Sequence, residues 1–544
     1  MSSTVAILSM LHEPASPRNS ATRRFRERPV LAWTLDRLAK SKQTGHMAIL
    51  CWDDQQAAVN EIAAEFGAYV LVKSPRSPIA SLDQISATQR WSDGWRGGLL
   101  GTCHFDRGFC ASYIQEVLAR LCPQDPAITR QSLILLVDPA SALVDPHLID
   151  ALIAHADSHP HREFFFTQAA PGLAGVLLRP ALLDRLAKAN THPGRLLAYS
   201  PDLPGLDPVT NDMCVAVPAP IARTTHRFAL DSDRQIRRFT AATADLNGHL
   251  MASDAEKLVA ILNAYPQRDP HPREVILELT TRRTTRPLFA PGTHLQLGRG
   301  ELPLESIARM IDELRGVDDL RLTLAGAGDP LLHAQFPEIL QLITDAQIPA
   351  VHIETDLLDL SGAALESLAA SRIDILTLHL PAITAATYHR IMGIDGFAKV
   401  IENLKRLLAK KHALPLIIPT FTQCREILSE METWYDHWLR VLGTAVIAGP
   451  TDYAAQIPDH AAADMSPPRR RPCARLQSRM TILSDATIPS CEQDILAKQP
   501  MGNADRDRLT DIWQHRFQSL RQDHDSNHLQ SRPLCTTCKE WHRP

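Results

Sequence analysis

"CARLQSRMTILSDATIPSCEQD" (473–494) and "LCTTCKEWHRP" (534–544) hold four of the ten cysteines in the 544-residue chain. Cys473, Cys491, Cys535 and Cys538 follow the spacing C-x17-C-x43-C-x2-C, while the other six stand singly through the residues before them. Four thiols in a loop-rich tail match a tetrathiolate site. The Cys-x-x-Cys turn aims two sulfurs at one point and serves Zn²⁺ or an iron–sulfur cluster alike. A segment this poor in apolar periodicity needs such a staple. His524, His528 and His542 are expected to be solvated surface residues, and Cys424 an incidental thiol.

Upstream of the tail, strand-like runs "VILELT", "LRLTLAG", "AVHIET", "DILTLHL", "LPLIIPTF" and "TAVIAG" alternate with amphipathic segments such as "PLESIARMIDELRGV". Six β/α units predict a partial (β/α)6 TIM barrel, whose working residues belong on loops at the C-terminal ends of the strands. The first 265 residues also alternate apolar runs with helical patterns ("TVAILSM", "MAILCW", "SLILLVD", "PHLIDALIAHA"), which implies a parallel sheet covered by helices. The proline-rich "YPQRDPHPRE" (265–274) reads as the joint between them. The expected organisation is thus an α/β chain: a sheet domain at 1–265, a linker at 266–274, a barrel at 275–455 and a small, loop-rich four-cysteine domain at 456–544.

Composition sets limits on partners. With 44% hydrophobic and 22% charged residues and a net charge of −4, the chain has globular values and no overall basic field, so nucleic acid is not an expected partner. No stretch approaches the 18 or more apolar residues of a membrane span, and "VAILSML" (5–11) is too short for a signal segment. A cytoplasmic location with reduced thiols follows, which favours metal over disulfides.

The order of parts in the tail is a first Cys, a hairpin near Asp485, a second Cys, a Gly-Asn before the helix carrying Trp513, and a closing Cys pair. It resembles the SPASM or shorter twitch auxiliary-cluster domain of radical S-adenosylmethionine (SAM) enzymes. Ala486 stands where that hairpin usually has Gly. The resemblance implies one [4Fe–4S] cluster on Cys473, Cys491, Cys535 and Cys538, with Zn²⁺ as the alternative. Such tails follow a barrel whose first loop carries Cys-x3-Cys-x2-Cys. Here that loop reads "LELTTRRTTRPLFAPG", with Arg283, Pro287 and Ala290 at the cysteine positions. "LAGAGDPLLH" (324–333) resembles the loop that holds the SAM amino group, on Gly326, Gly328, Asp329 and Pro330, with Asp in place of Glu. Asp356 and His379 take polar positions of the next two strands. The expectation is a barrel that binds a small-molecule or peptide ligand without cleaving SAM.

In the first domain, "ATRRFRERPVLAWTLDRLAKSK" (21–42) resembles the basic loop and helix of nucleotide-sugar cytidylyltransferases, of the glycosyltransferase-A fold. The resemblance implies a nucleotide-sugar ligand near Arg23 and Arg24, although no glycine occurs before Gly45 to form a backbone cradle. Asp138 in "LILLVDPASALVDPHLIDAL" takes the position of a Mg²⁺ carboxylate, with Asp231 or Asp233 as its partner. The glycine-rich "WSDGWRGGLLGTCHFDRG" (91–108), with Trp91, Trp95 and Arg96, is a candidate ligand loop or a tight turn. An active cytidylyltransferase and a zinc-stapled binding scaffold remain the alternatives to a non-classical radical-SAM protein acting in glycoconjugate or peptide modification.

Overall fold

The computed structural model describes residues 4–96, 98–124, 128–129, 132–205, 207–265, 269–410 and 416–543. Residues 266–268 of the expected linker, Gly97 of the glycine-rich stretch and the first two residues of "LPLIIPTF" lie outside them. The chain divides into two compact units, Met1–Gln267 and Arg268–Pro544.

The first unit is built on a seven-stranded sheet. Thr4–Ser9 lies between Thr44–Trp52 and Ile134–Val137, both parallel to it, and Tyr69–Lys73 extends the parallel part. Beyond Ile134–Val137 the sheet is mixed: Val176–Leu178 runs antiparallel to it, then come Phe164–Thr167 and Cys214–Val215. The sequence predicts only parallel strands here. The departure comes from Phe164–Thr167 and Val176–Leu178, which pair antiparallel to each other, too close in the chain for a helical crossover. Thr4–Ser9 and Ile134–Val137 are buried throughout, as strands covered on both faces must be. The helix Pro146–Ser158 starts where Asp145 accepts the His147 N–H at 2.9 Å and Pro146 occupies the first turn.

In the second unit, Glu274–Leu277, Arg321–Leu324, Ala350–Thr355, Ile375–His379, Leu416–Thr422 and Val446–Ala448 form six parallel neighbours in chain order. Helices between them bury one face each. In Leu304–Leu314 the buried Ile307, Met310, Ile311 and Leu314 fall at i, i+3, i+4 and i+7. The tail does not stand apart from this sheet. Its strand Arg479–Ile482 pairs parallel with Glu274–Leu277 as a seventh strand, and one core runs from the barrel to Trp513, Phe517 and Leu520. Glu278, just past the first strand, ties the parts together. It pairs with both arms of Arg299 at 2.9 Å and accepts N–H groups from Ala327 (3.0 Å) and Ser484 (3.2 Å).

The tail hairpin explains its unusual alanine. Ala486 is fully buried with φ +63°, and its N–H donates to the Leu483 carbonyl at 2.8 Å. A glycine is the usual occupant of that backbone because an L side chain there crowds the following carbonyl.

Candidate functional site

Cys473, Cys491, Cys535 and Cys538 line one cavity with Ala454, Leu476, Leu520, Leu534 and Trp541. They arrive from separate places: Cys473 ahead of a short helical turn, Cys491 after the hairpin strand Thr487–Pro489, and the last two from the turn Pro533–Thr537. Burial pushes all four thiols up, Cys535 to about 11 and Cys491 well above the ordinary value. Four protons must therefore leave when a metal enters. Among the described residues, no three of these sulfurs lie within 4.8 Å of one another. Thiolates about 2.3 Å from a single tetrahedral zinc would sit about 3.8 Å apart. The cavity, lined by the four thiols, by apolar groups and by Arg470, Ser490, Gln493 and His524, suits a thiolate-held metal centre.

The histidines near this cavity are not all solvated. His524 is 5% exposed, its Nδ1 accepts the Cys473 N–H at 3.4 Å, and its Nε2 lies 3.4 Å from Cys535 Sγ. Cys538 Sγ accepts the Glu540 N–H at 3.3 Å. Behind the thiols, Arg475 pairs with Glu492 and Glu540, and Arg479 with Glu492 and Glu274.

The barrel's first loop offers a different chemistry. Arg283 Nε donates to Asp356 Oδ2 at 2.8 Å, its Nη2 donates to Oδ1, and Thr285 donates to the same carboxylate. His379 stands 3.2 Å from Asp356 Oδ1 and 3.6 Å from Glu354. Asp356 is 2% exposed. Burial alone would neutralise it, but the Arg283 guanidinium and His379 hold it well below the usual carboxylate range. Burial likewise opposes charge on His379, yet its bonds to Asp356 and Glu354 push it up to about 9. Asp329 accepts from Thr355 Oγ1 (2.8 Å), Asp356 N–H (2.9 Å) and Leu331 N–H (3.0 Å). Burial, and then the neighbouring Asp356, push it up to about 6.

Pro287 and Ala290 are buried and bring no donor side chain to the loop. The residues present therefore do not fit a three-thiolate iron cluster. Gly326, Gly328 and Pro330 shape the neighbouring loop. A Cβ on Gly328 would stand 2.2 Å from the Thr280 carbonyl, so the loop packs against the first strand's end only as glycine. Cys424 is fully buried, its thiol pushed up to about 12 by burial, as in an inert core cysteine.

In the first unit, Asp138 and Asp231 come together, with Arg107 between them at 3.3 Å and 2.6 Å. A guanidinium thus stands between the two carboxylates expected to share Mg²⁺. Asp231 also pairs with Arg227. Asp233 lies apart, 63% exposed at a helix start and 3.6 Å from Arg23. Arg23 is buried and donates to the Arg18 carbonyl, while Arg24 is exposed and bonds the Glu27 carbonyl at 2.6 Å. Arg96 is half-exposed, 3.4 Å from Asp207, and Trp95 stacks on Phe166 with ring centroids 5.4 Å apart. The sequence singled out neither His12, Glu13, His104 nor Arg107. The signals were a His-Glu pair just after the first strand and "HFDRG" at the end of the glycine-rich stretch.

Residues 290–426 match the model of the Radical SAM superfamily, and residues 473–539 match that of SPASM, an iron-sulfur cluster-binding domain. The chain carries these two domains. An uncharacterized protein of Treponema pallidum (strain Nichols) is 23% identical over 327 residues, 57% of this chain and 86% of that protein. Solved structures similar to the chain include BtrN in complex with AdoMet and 2-DOIA (15% identical, 50% of this chain, 94% of that chain, TM-score 0.33). Another is Streptococcus suis SuiB bound to precursor peptide SuiA (14% identical, 56% of this chain, 83% of that chain, TM-score 0.41). A third is native anSMEcpe with bound AdoMet (10% identical, 46% of this chain, 83% of that chain, TM-score 0.36). Among the described residues, no helix is long and apolar enough to cross a membrane.

Proposed function

We propose that this chain is an iron–sulfur protein whose tail carries one [4Fe–4S] cluster on Cys473, Cys491, Cys535 and Cys538. In this reading the radical-SAM barrel binds a small-molecule or peptide ligand and does not cleave SAM. The observation that carries it is the Arg283–Asp356–His379 network. A SAM-cleaving cluster needs three thiolates at the first loop, and that loop instead supplies a guanidinium, a proline ring and a methyl group. The network satisfies its own charges, and Arg283 and His379, 12% and 20% exposed, keep a polar edge at the strand ends for a ligand's anionic group.

The tail cluster, when bound, supplies a one-electron or structural centre. The protein's part is to shield it with Leu476, Leu520 and Trp541 and to orient the thiols through His524 and Glu540. Anaerobic reconstitution tests both halves: about four irons and four sulfides per chain are expected. One zinc without iron overturns the tail assignment, and about eight irons, or 5′-deoxyadenosine from SAM and a reductant, overturns the barrel assignment.

A second reading concerns the first unit as a cytoplasmic nucleotide-sugar-binding domain, supported by the meeting of Asp138, just past the strand Ile134–Val137, with Asp231 on the irregular segment before the helix Asp233–Ala242. Arg107, bonded to Asp231 and standing between the two carboxylates, argues against their sharing one Mg²⁺. Incubation with CTP, a sugar acid and Mg²⁺ is expected to release no pyrophosphate; release that Asp138→Ala abolishes would establish transferase activity instead.

A further inference from the structure

We propose that His12, Glu13, His104 and Asp138 form a site in the first unit for a divalent transition-metal ion of the zinc class. It is independent of the tail and barrel assignments. Among the described residues, His12, Glu13 and Asp138 are the only set of three His, Cys, Asp or Glu side chains whose ligand atoms all lie within 4.8 Å of one another. His104 joins it from the glycine-rich stretch: its Nε2 is 3.6 Å from Asp138 Oδ2, and His12 Nε2 is 4.0 Å from the same oxygen. Ligand atoms on one zinc, each about 2.0–2.2 Å from the metal, lie about 3–3.5 Å apart. Closing the two imidazoles onto an ion beside Asp138 thus takes shifts of about 0.5 Å.

The second observation is unpartnered polarity. The His12 and His104 side chains are 3% and 9% exposed. Nε2 of His12, Nε2 of His104 and Oδ2 of Asp138 have no hydrogen bond. Buried polar atoms left without partners are destabilising and rare in folded proteins, and three of them converge on one point here. A metal ion satisfies all three at once. Asp138 is already oriented, because its Oδ1 accepts the Ala140 N–H at 2.8 Å. Glu13 is held by the Ser20 N–H at 2.8 Å and by the Ser20 hydroxyl.

Gly108 makes the room: at φ +71°, a Cβ there would stand 2.8 Å from His12 Nδ1. Arg107 approaches Asp138 Oδ2 without hydrogen-bond geometry and is anchored by its 2.6 Å bond to Asp231, so loading the site breaks no hydrogen bond. Two imidazoles with two carboxylates select zinc or its first-row neighbours over Mg²⁺, which prefers an all-oxygen octahedron.

The test uses the full chain with its tail cluster loaded, dialysed against zinc, with metal analysis and zinc-edge X-ray absorption. One zinc per chain with a nitrogen and oxygen shell near 2.0–2.1 Å is expected. His12→Gln and His104→Gln should each weaken zinc about 100-fold, while the exposed His147→Gln leaves it unchanged. A sulfur shell near 2.3 Å, no bound zinc, displacement of zinc by equimolar Mg²⁺, or unaltered affinity in both folded variants overturns the site. The absorption spectrum of the unmutated chain decides the matter even if both variants fail to fold.

Discussion

The tail cavity and the barrel mouth lie in one compact unit, and both stand where the resemblance to radical-SAM enzymes predicts an iron–sulfur cluster. The tail keeps four thiols around an apolar space, with their charge deferred until a metal arrives. The barrel mouth holds an ion pair instead: Arg283 and Asp356 are mutually bonded and nearly buried. The tail thiols are left spare for a ligand, while Arg283 and Asp356 spend most of their bonding on each other and keep only a polar edge at the strand ends.

The largest expected effect tests the first half of that contrast. Cys491→Ala and Cys535→Ala should each cut reconstituted iron well below the about four per chain of the parent, because each removes one of the four thiolates that would hold the cluster. Cys424→Ala, in the core and away from the cavity, should keep its iron. Iron retained by Cys491→Ala would mean that the cavity is not the ligand set.

Next comes the barrel mouth. Arg283→Met removes the main partner of a buried carboxylate, and breaking such a pair costs about 3–5 kcal/mol. Thr285 and His379 remain on Asp356, so the lower end of that range is expected. Urea unfolding of the second unit measures it, and a loss under about 1 kcal/mol would show that the pair is ornamental. Iron content should not change.

How far the sequence foretold these two places follows from what each depends on. Thiolate spacing is local enough to read, since Cys535 and Cys538 declare a turn and Cys473 and Cys491 flank a hairpin. The six barrel strands were legible from their apolar runs. That Arg283, Pro287 and Ala290 stand in the first loop was legible too, but what Arg283 does there was not: it meets Asp356 across 73 residues and His379 across 96, separations that leave no periodic trace. The same holds for Arg107 between Asp138 and Asp231, and for Arg479–Ile482, a strand of the tail that only the fold reveals as the barrel's neighbour. His524 looked like a solvated residue because its burial depends on the helix Phe517–Asp525 packing over the cavity.

The pH dependence of the barrel mouth is a smaller effect. The folded-state pKa of His379 is raised to about 9 from an ordinary 6.5. Its contribution is therefore complete below pH 6.5 and is lost as pH rises through 9. With the coupling to Asp356 discounted, a loss on the order of 2 kcal/mol across that window is expected. Urea midpoints at about pH 6 and about pH 9.5 should differ in the parent chain and far less in His379→Gln. A profile equally steep in the variant would assign the titration to another group, such as the thiols.

The smallest effect returns to the tail. Because His524 Nδ1 accepts the Cys473 N–H, its remaining proton sits on Nε2 and points to Cys535 Sγ. Burial, with Arg470 adding repulsion, pushes the ring's basicity down to about 4, so this neutral tautomer persists at neutral pH. An N–H donated to a cluster sulfur favours the reduced, more negative state and raises the reduction potential. His524→Leu should therefore lower the potential by a few tens of millivolts, under about 1 kcal/mol for one electron, with the iron count unchanged. His524→Gln, which retains a donor, should recover part of the shift. Equal potentials in the parent and His524→Leu would reduce His524 to a packing residue, and loss of iron in both variants would make it a ligand rather than a neighbour of one.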